Sequence, residues 1–242
     1  LLERSALKGN VVSALSGISN SPLALQTAPQ AAAAALREAI ISGQLKKGER
    51  ILEQKWSTML GIGQPTLREA MRELEHQGLL RKLHQRGTYV AELSPDDYRQ
   101  ILEVRIPLES LAIGLAAERM SAAQAAELTA IVEQMDTTVA DNDVRRFHDL
   151  DVMFHRKIWE IAGNPYLQSV LETITFRLFV FAIVGRWQDN PDAIGERRDA
   201  VSQHVGILEG LKSRNAARAR EAFVDCTVKY WNETYDIGVQ RA

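Results

Sequence analysis

Two residues one helical turn apart, Asp151 and His155, form the pair in this 242-residue sequence best suited to chemistry. The spacing Asp-x-x-x-His places a carboxylate and an imidazole on one face of a helix. That face is otherwise apolar: Phe147, Phe154, Ile158 and Ala162 lie within about 60° of one direction at about 100° per residue, and Asp151 sits at their centre. On a later helix His204 stands among Val201, Ile207, Leu208 and Leu211, and on the last Cys226 stands among Ala219, Ala222, Phe223 and Tyr230. Arg105 shares a face with Tyr98, Ile101, Leu102 and Leu108, and Arg177 with Val170, Ile174, Val180 and Phe181. Five helices thus aim a polar group or a thiol inward, and apart from Asp151 no carboxylate falls on these stripes.

A buried carboxylate without a partner costs several kcal/mol or takes up a proton, so Asp151 requires company. One answer is an Asp–His or Asp–Arg hydrogen-bond network that only locks a helical bundle. The other is a divalent metal, with Asp151 and His155 as ligands one turn apart and His204 completing a facial set from another helix.

A second kind of chemistry is written in Leu60-Gly-Ile-Gly-Gln-Pro-Thr-Leu-Arg-Glu-Ala-Met-Arg-Glu-Leu-Glu-His-Gln-Gly78. Leu67, Ala70, Met71 and Leu74 recur as one buried helical face, while Gln64, Arg68 and Arg72 fall four apart on the opposite side, free to meet an anion. Gly63 suits the N-cap, Pro65 the first turn, and Gly78 the far end. Alternating charge at Arg68, Glu69, Arg72 and Glu73 is by itself the mark of a solvated face. Its neighbours decide otherwise.

Those neighbours are a helix over 31–42, a second over 53–60 that buries Trp56, and two short β-rich runs, Leu79–Leu83 and Thr88–Ala91, joined by His84-Gln-Arg-Gly87. Three helices followed by a hairpin with Arg86-Gly87 at its tip make a winged helix-turn-helix. In that arrangement the third helix enters the major groove and the basic tip reaches phosphate or minor groove. Charge agrees: residues 1–93 carry 12 Lys/Arg against 8 Asp/Glu, whereas residues 94–242 carry 17 against 23. A mildly basic unit precedes an acidic one.

From Ser94-Pro-Asp-Asp97 onward no strand signal recurs, and helices are predicted near 96–105, 107–119, 121–140, 143–162, 165–186, 192–213 and 215–237. The chain is therefore expected to be mainly α: an N-terminal arm or linker over 1–30, a winged helix-turn-helix over 31–93, and an antiparallel all-α bundle over 94–242. One cysteine excludes an internal disulfide framework, and the apolar run from Leu178 to Val184 is far shorter than the roughly 20 residues of a membrane span. With no signal-peptide pattern either, the expectation is a cytoplasmic protein with no membrane partner.

Residues 36–90, with Leu-Arg-x-x-Ile-x-x-Gly at 36–43, Gly48-Glu-Arg-Ile-Leu52, Leu67-Arg-Glu-Ala-Met71, Leu74-Glu-x-x-Gly-Leu79 and Arg86-Gly-Thr-Tyr-Val90, resemble the DNA-binding domain of the GntR superfamily of bacterial transcription regulators. The resemblance implies that Thr66 and Arg68 contact an operator, that Arg72 supports them, and that Arg86-Gly87 is the wing. Gln54 and Gln64 stand where the family often has arginine. Glutamine prefers adenine where arginine prefers guanine, so an altered half-site is expected.

Residues 96–238, with Glu103-Val-Arg105, Glu109, Asp151-x-x-Phe-His155, Gly163-Asn164 and His204-x-x-Ile-Leu208, resemble the effector-binding FCD domain of the FadR-type subgroup. Many members hold a divalent metal, commonly zinc, through an aspartate and three histidines, and use it to grip a small carboxylate. Asp151, His155 and His204 match three ligands; the fourth position, 22 residues after His204, is Cys226. Its thiolate reaches less far than an imidazole, leaving either an open coordination position or a weakened site. Arg105, then Arg177, is expected to hold the effector's carboxylate with a two-pronged guanidinium.

The resulting expectation is a ligand-responsive regulator, a repressor by habit of the group, that binds a palindromic operator as a homodimer. A metal-sensing regulator is the first alternative. A helical-bundle metalloenzyme is the second, disfavoured because a hydrolase would want a further carboxylate as general base.

Overall fold

A computed structural model describes residues 27–184 and 194–240. The expected arm lies outside these residues except for 27–30, which open the first helix. Helix α1, Ala28–Ile41, begins where the Gln30 side chain accepts the Thr27 backbone N–H at 2.9 Å. Helix α2, Glu53–Leu60, buries Trp56 and stops at Gly61, whose φ of +66° suits a residue without Cβ. Helix α3, Gln64–His76, buries Leu67, Ala70, Met71 and Leu74, the stripe legible in the sequence.

Strands β1, Leu80–Leu83, and β2, Gly87–Val90, pair antiparallel from Leu80 opposite Val90 to Leu83 opposite Gly87. The other edge of β2 is covered by residues 49–51: Ile51 N–H donates to Thr88 at 2.8 Å and Val90 N–H to Glu49 at 2.9 Å. The hairpin is thus anchored to the segment leading into α2.

Six α-helices follow among the described residues: α4 Pro95–Arg119, α5 Ala122–Ala140, α6 Val144–Ala162, α7 Pro165–Leu178, α8 Ile194–Lys212 and α9 Ala216–Tyr235. A capping box starts α4, the Ser94 hydroxyl accepting Asp97 N–H while the Asp97 carboxylate accepts Ser94 N–H. The sequence predicts a break at Pro107, but α4 runs through it. Proline in a helix interior costs about 3 kcal/mol. Here Leu102, Ile106, Ala112 and Ile113 are buried on both sides of it, and a buried Arg105–Glu109 ion pair at 2.6 Å spans it. Packing holds the helix where local preference would end it.

Helix α6 packs on α4, α5 and α7, and α8 pairs with α9. At the end of α7 the chain departs from the uninterrupted helix expected to 186: Phe179–Val184 winds as a π-helical segment with i→i+5 bonding. The expected boundaries at 186 and 192 lie outside the described residues. Most buried apolar side chains beyond Leu93 form one cluster, built around Phe154, Ile158, Trp159 and Phe223. Val180 and Phe181 instead join the cluster of α1–α3 and the hairpin, among Leu36, Leu67 and Leu74. No described helix is long and apolar enough to cross a membrane.

Candidate functional site

Helix α6 brings Asp151 and His155 to the centre of the bundle, and α8 brings His204 against them. All three are about 2% exposed, and one ligand atom from each lies within 4.8 Å of the others. His204 Nε2 is 2.7 Å from Asp151 Oδ1, and His155 Nε2 is 3.7 Å from the same oxygen.

The protonation of both rings follows from their partners. His155 Nδ1 lies 2.6 Å from Glu109 Oε1, an acceptor, while a donor-only guanidinium nitrogen, Arg105 Nη2, lies 3.4 Å from His155 Nε2. The proton therefore sits on Nδ1, and Nε2 turns a lone pair toward Asp151. His204 Nδ1 lies 2.6 Å from the Ala200 carbonyl and must donate to it. That leaves His204 Nε2 and a carboxylate oxygen face to face at 2.7 Å, an approach that needs positive charge between them, either a proton or a cation. The second oxygen, Asp151 Oδ2, is buried with no hydrogen-bond partner. Outer acceptors that commit both rings through Nδ1, two inward-facing Nε2 atoms and an orphaned carboxylate oxygen together fit a divalent ion.

Glu109 enters the sequence expectation only as a motif residue of the FCD resemblance; its place in the interior is the largest departure from that expectation, which put no carboxylate but Asp151 on the inward stripes. It is fully buried, accepting from Arg105 Nε at 2.6 Å, from His155 Nδ1 and from Trp159 Nε1 at 2.9 Å. Burial opposes its ionisation, but the charge of Arg105 and the hydrogen bonds donated by His155 and Arg105 outweigh it and bring the carboxyl down to about 2. Asp151 behaves alike: burial raises it, and the hydrogen bond and positive charge at His204, with the charge of Arg105, hold it below the ordinary range. The available signal was the i, i+4 spacing Arg105-x-x-x-Glu109, which pairs opposite charges on one face.

A small cavity opens on this cluster, walled by Arg105, Phe147, Leu178, Phe179, Gln203 and Tyr230 among others. Arg105 is thus where the sequence expectation put it, although Glu109 already occupies one edge of its guanidinium. Phe179 stands with its ring 5.4 Å from that of His155 and 5.2 Å from Arg105 Cζ. Gln203 is steadied by a 3.3 Å hydrogen bond to the buried Thr227 hydroxyl.

Two expected residues lie elsewhere. Cys226 does not join the Asp151–His155–His204 cluster; its sulfur packs on α8, 2.5 Å from where a Cβ on Gly206 would stand. The face of α9 turned to the core carries Phe223, Thr227, Tyr230 and Trp231, about a quarter-turn away. Burial and the neighbouring Asp225 also push the Cys226 thiol up, away from the thiolate that binds metal. Arg177 points away from the cavity as well: its Nε lies 2.6 Å from where a Cβ on Gly78 would be, against the turn after α3.

On the opposite side of α3 the expected DNA contacts form a single exposed chain. Arg68 Nε donates to Glu53 at 2.7 Å and Arg68 Nη2 to Gln64 at 3.3 Å; Gln64 donates to Gln54 at 2.6 Å, and Gln54 meets the Thr58 hydroxyl at 3.5 Å. Arg72 is exposed on the next turn, and Thr66 is half-buried at the helix start. Arg86 is exposed at the hairpin tip, its carbonyl accepting from Tyr89 OH at 3.1 Å. Gly87 has φ of +104° and lies under the guanidinium of Arg50, a basic neighbour not foreseen from the sequence.

Residues 100–226 match the FCD domain, and residues 29–90 match the bacterial regulatory proteins of the gntR family. The chain is a GntR-family transcription regulator with an FCD domain. The regulator is 28% identical over 193 residues to an uncharacterized HTH-type transcriptional regulator, YdhC, of Bacillus subtilis, spanning 77% of this chain and 81% of that protein. It is 26% identical over 234 residues to the HTH-type transcriptional repressor NanR of Cronobacter sakazakii, covering 87% of each. Among solved structures, Escherichia coli McbR/YncC shares the fold with a TM-score of 0.72 at 19% identity, covering 88% of this chain and 99% of that one. These likenesses make the regulator a DNA-binding protein and not an enzyme, so the buried Glu109 does not revive the metalloenzyme reading.

Proposed function

We propose that this regulator is a repressor that binds a palindromic operator as a homodimer and releases it in response to a small carboxylate held beside a divalent metal in the FCD domain. In this reading the division falls as 31–93 for DNA binding and 94–242 for effector binding and dimerisation, and the protein works in the cytoplasm, where its operator is. Thr66, Arg68, Arg72, Gln54 and Gln64 face the major groove, and Arg86-Gly87 forms the wing. A dimer is supported by the exposed apolar side chains of α4 and α7, with Val104 51%, Leu111 42% and Val170 47% accessible.

The observation that carries the metal is the 2.7 Å approach of His204 Nε2 to Asp151 Oδ1 while His204 Nδ1 is committed to the Ala200 carbonyl. Asp151, His155 and His204 would hold the ion, zinc first among candidates for one oxygen and two nitrogen ligands. Such an ion supplies a Lewis-acidic position for a carboxylate oxygen. Arg105 orients the opposite end of the acid, Glu109 keeps His155 in the metal-binding tautomer, and Phe147, Phe179 and Tyr230 exclude water.

The test is elemental analysis of protein purified without a chelating column, with a thermal-shift screen of mono- and dicarboxylates. Near-stoichiometric zinc, and a carboxylate that stabilises only the loaded form, is the expected result; loading at trace level would end the metal reading. One observation favours a metal-sensing regulator as second reading. The cavity has about 20 Å³ of free volume, enough for an ion or one water but not for an organic acid. Metal titration of operator binding with and without carboxylates separates the two.

A further inference from the structure

If the cavity is to admit an acid, part of its wall must yield. The polar part of the wall is fixed. Arg105 and His155 are tied to Glu109, His204 to Ala200 and Asp151, and Gln203 to Thr227. Trp231, on the α9 side, is stacked on Tyr235 at 4.6 Å and sits 6.1 Å from Tyr98. Phe179 is different. No side-chain hydrogen bond ties it, only apolar packing in the bundle core and ring contacts, and it opens the π-helical segment, the one stretch among the described residues where regular helical bonding is abandoned.

The residues that follow Phe179 do not belong to the bundle core. Val180 and Phe181, each 2% exposed, are packed in the core of the winged domain with Leu36, Leu67, Leu74 and Leu79. Just before them, Phe176 lies 5.8 Å under the Arg37 guanidinium, and Arg177 abuts Gly78. Three consecutive residues therefore span two hydrophobic cores.

We infer that Phe179–Phe181 is the coupling element of this regulator: a ligand enters the cavity by displacing Phe179, and that displacement withdraws Val180 and Phe181 from the core that holds α3. The inference rests on the reading that the cavity takes a carboxylate. Ligand and DNA-binding domain then compete for one short segment, giving each ligand state a different contact with the winged domain, as any effector-driven shift requires. The π-helical winding suits the task, since a segment between α-helical and other bonding patterns can change its register over few residues.

The test is hydrogen exchange of the full chain loaded with zinc, with and without saturating citrate as carboxylate probe, while calorimetry reports citrate binding. In the wild type, citrate is expected to speed exchange of residues 67–80 and 88–91 by about tenfold, a usual size for coupling between sites, and to leave α5 unchanged. Phe179→Ala should bind citrate yet transmit nothing to the winged domain. Citrate bound with no change in winged-domain exchange, or transmission persisting in Phe179→Ala, overturns the coupling. Should calorimetry detect no citrate binding, the carboxylate reading is what fails, and a ligand-free variant judges the coupling alone. Phe179→Trp overfills the cavity and should itself speed exchange of residues 67–80; exchange equal to wild type overturns the inference.

Discussion

The exposed chain Glu53–Arg68–Gln64–Gln54 and the buried chain Arg105–Glu109–His155 are built from similar hydrogen bonds at similar distances, yet they do opposite things. In water, the Arg68–Glu53 pair is worth about 0–1 kcal/mol and can be exchanged for another partner. In the interior, Glu109 satisfies three donors that have no solvent to turn to. Burial, not the partners, decides whether a network is a scaffold or a reserve of free hands.

Breaking the buried network should give the largest effect. Glu109→Ala strands the Arg105 charge and two N–H groups, and a loss of about 3–5 kcal/mol in urea-unfolding free energy is expected. The same residue gives an acid signature. Its folded-state carboxyl, at about 2, lies below the ordinary 4.5, so its contribution is complete above the ordinary value and fades as pH falls toward 2. Glu109→Gln should flatten the decline in stability between about pH 5 and pH 2; an unaltered acid profile would exclude this carboxylate as its source.

Joint replacement of Asp151 and His155 by alanine should abolish metal retention, read as zinc per chain; wild-type content in the double variant would remove the site. On the exposed side, Arg68→Ala should weaken operator binding by about 1–3 kcal/mol in a gel-shift titration if the side chain reads a base. Its effect on folding should be within about 0.5 kcal/mol, the ordinary range for surface changes. Equal losses of stability from Arg68→Ala and Glu109→Ala would erase the contrast between the two regions. A modest effect tests the start of the bundle: Ser94→Ala removes the capping hydroxyl of α4 and should cost about 1 kcal/mol of stability in urea unfolding.

The sequence is most legible where a residue's role depends on one helix. The buried stripe of α3, its Gly63 and Pro65 start, the hairpin and the Asp151–His155 pair all follow from spacing within a single element. It is least legible where neighbours intervene. Helical angle placed Cys226 on the inward side of α9, but the contact with Gly206 turns its sulfur toward α8, while Thr227, one residue on, reaches Gln203. Arg177 was phased with Val180 and Phe181 on the assumption of unbroken α-helix, and the π-helical segment cancels that phase. Pro107 carries a local stop signal that the packing of Leu102, Ile106 and Ile113 overrides. Glu109 stays off the inward stripes in the sequence because nothing in its own helix announces the imidazole and indole that face it from α6.

In the proposed reading, where Arg68 contacts DNA, Glu53 at the head of α2 competes for its guanidinium. Any stretch of DNA must offer the guanidinium more than the carboxylate 2.7 Å away already does before Arg68 lets go. A lone phosphate offers little more than an exchange of one anion for another, whereas a base edge accepting two hydrogen bonds offers a real gain. In that reading Arg68 stays on Glu53 over random sequence and transfers only to a matching base edge, so the pairing weakens both modes of binding but withholds the contact from DNA that is not the operator.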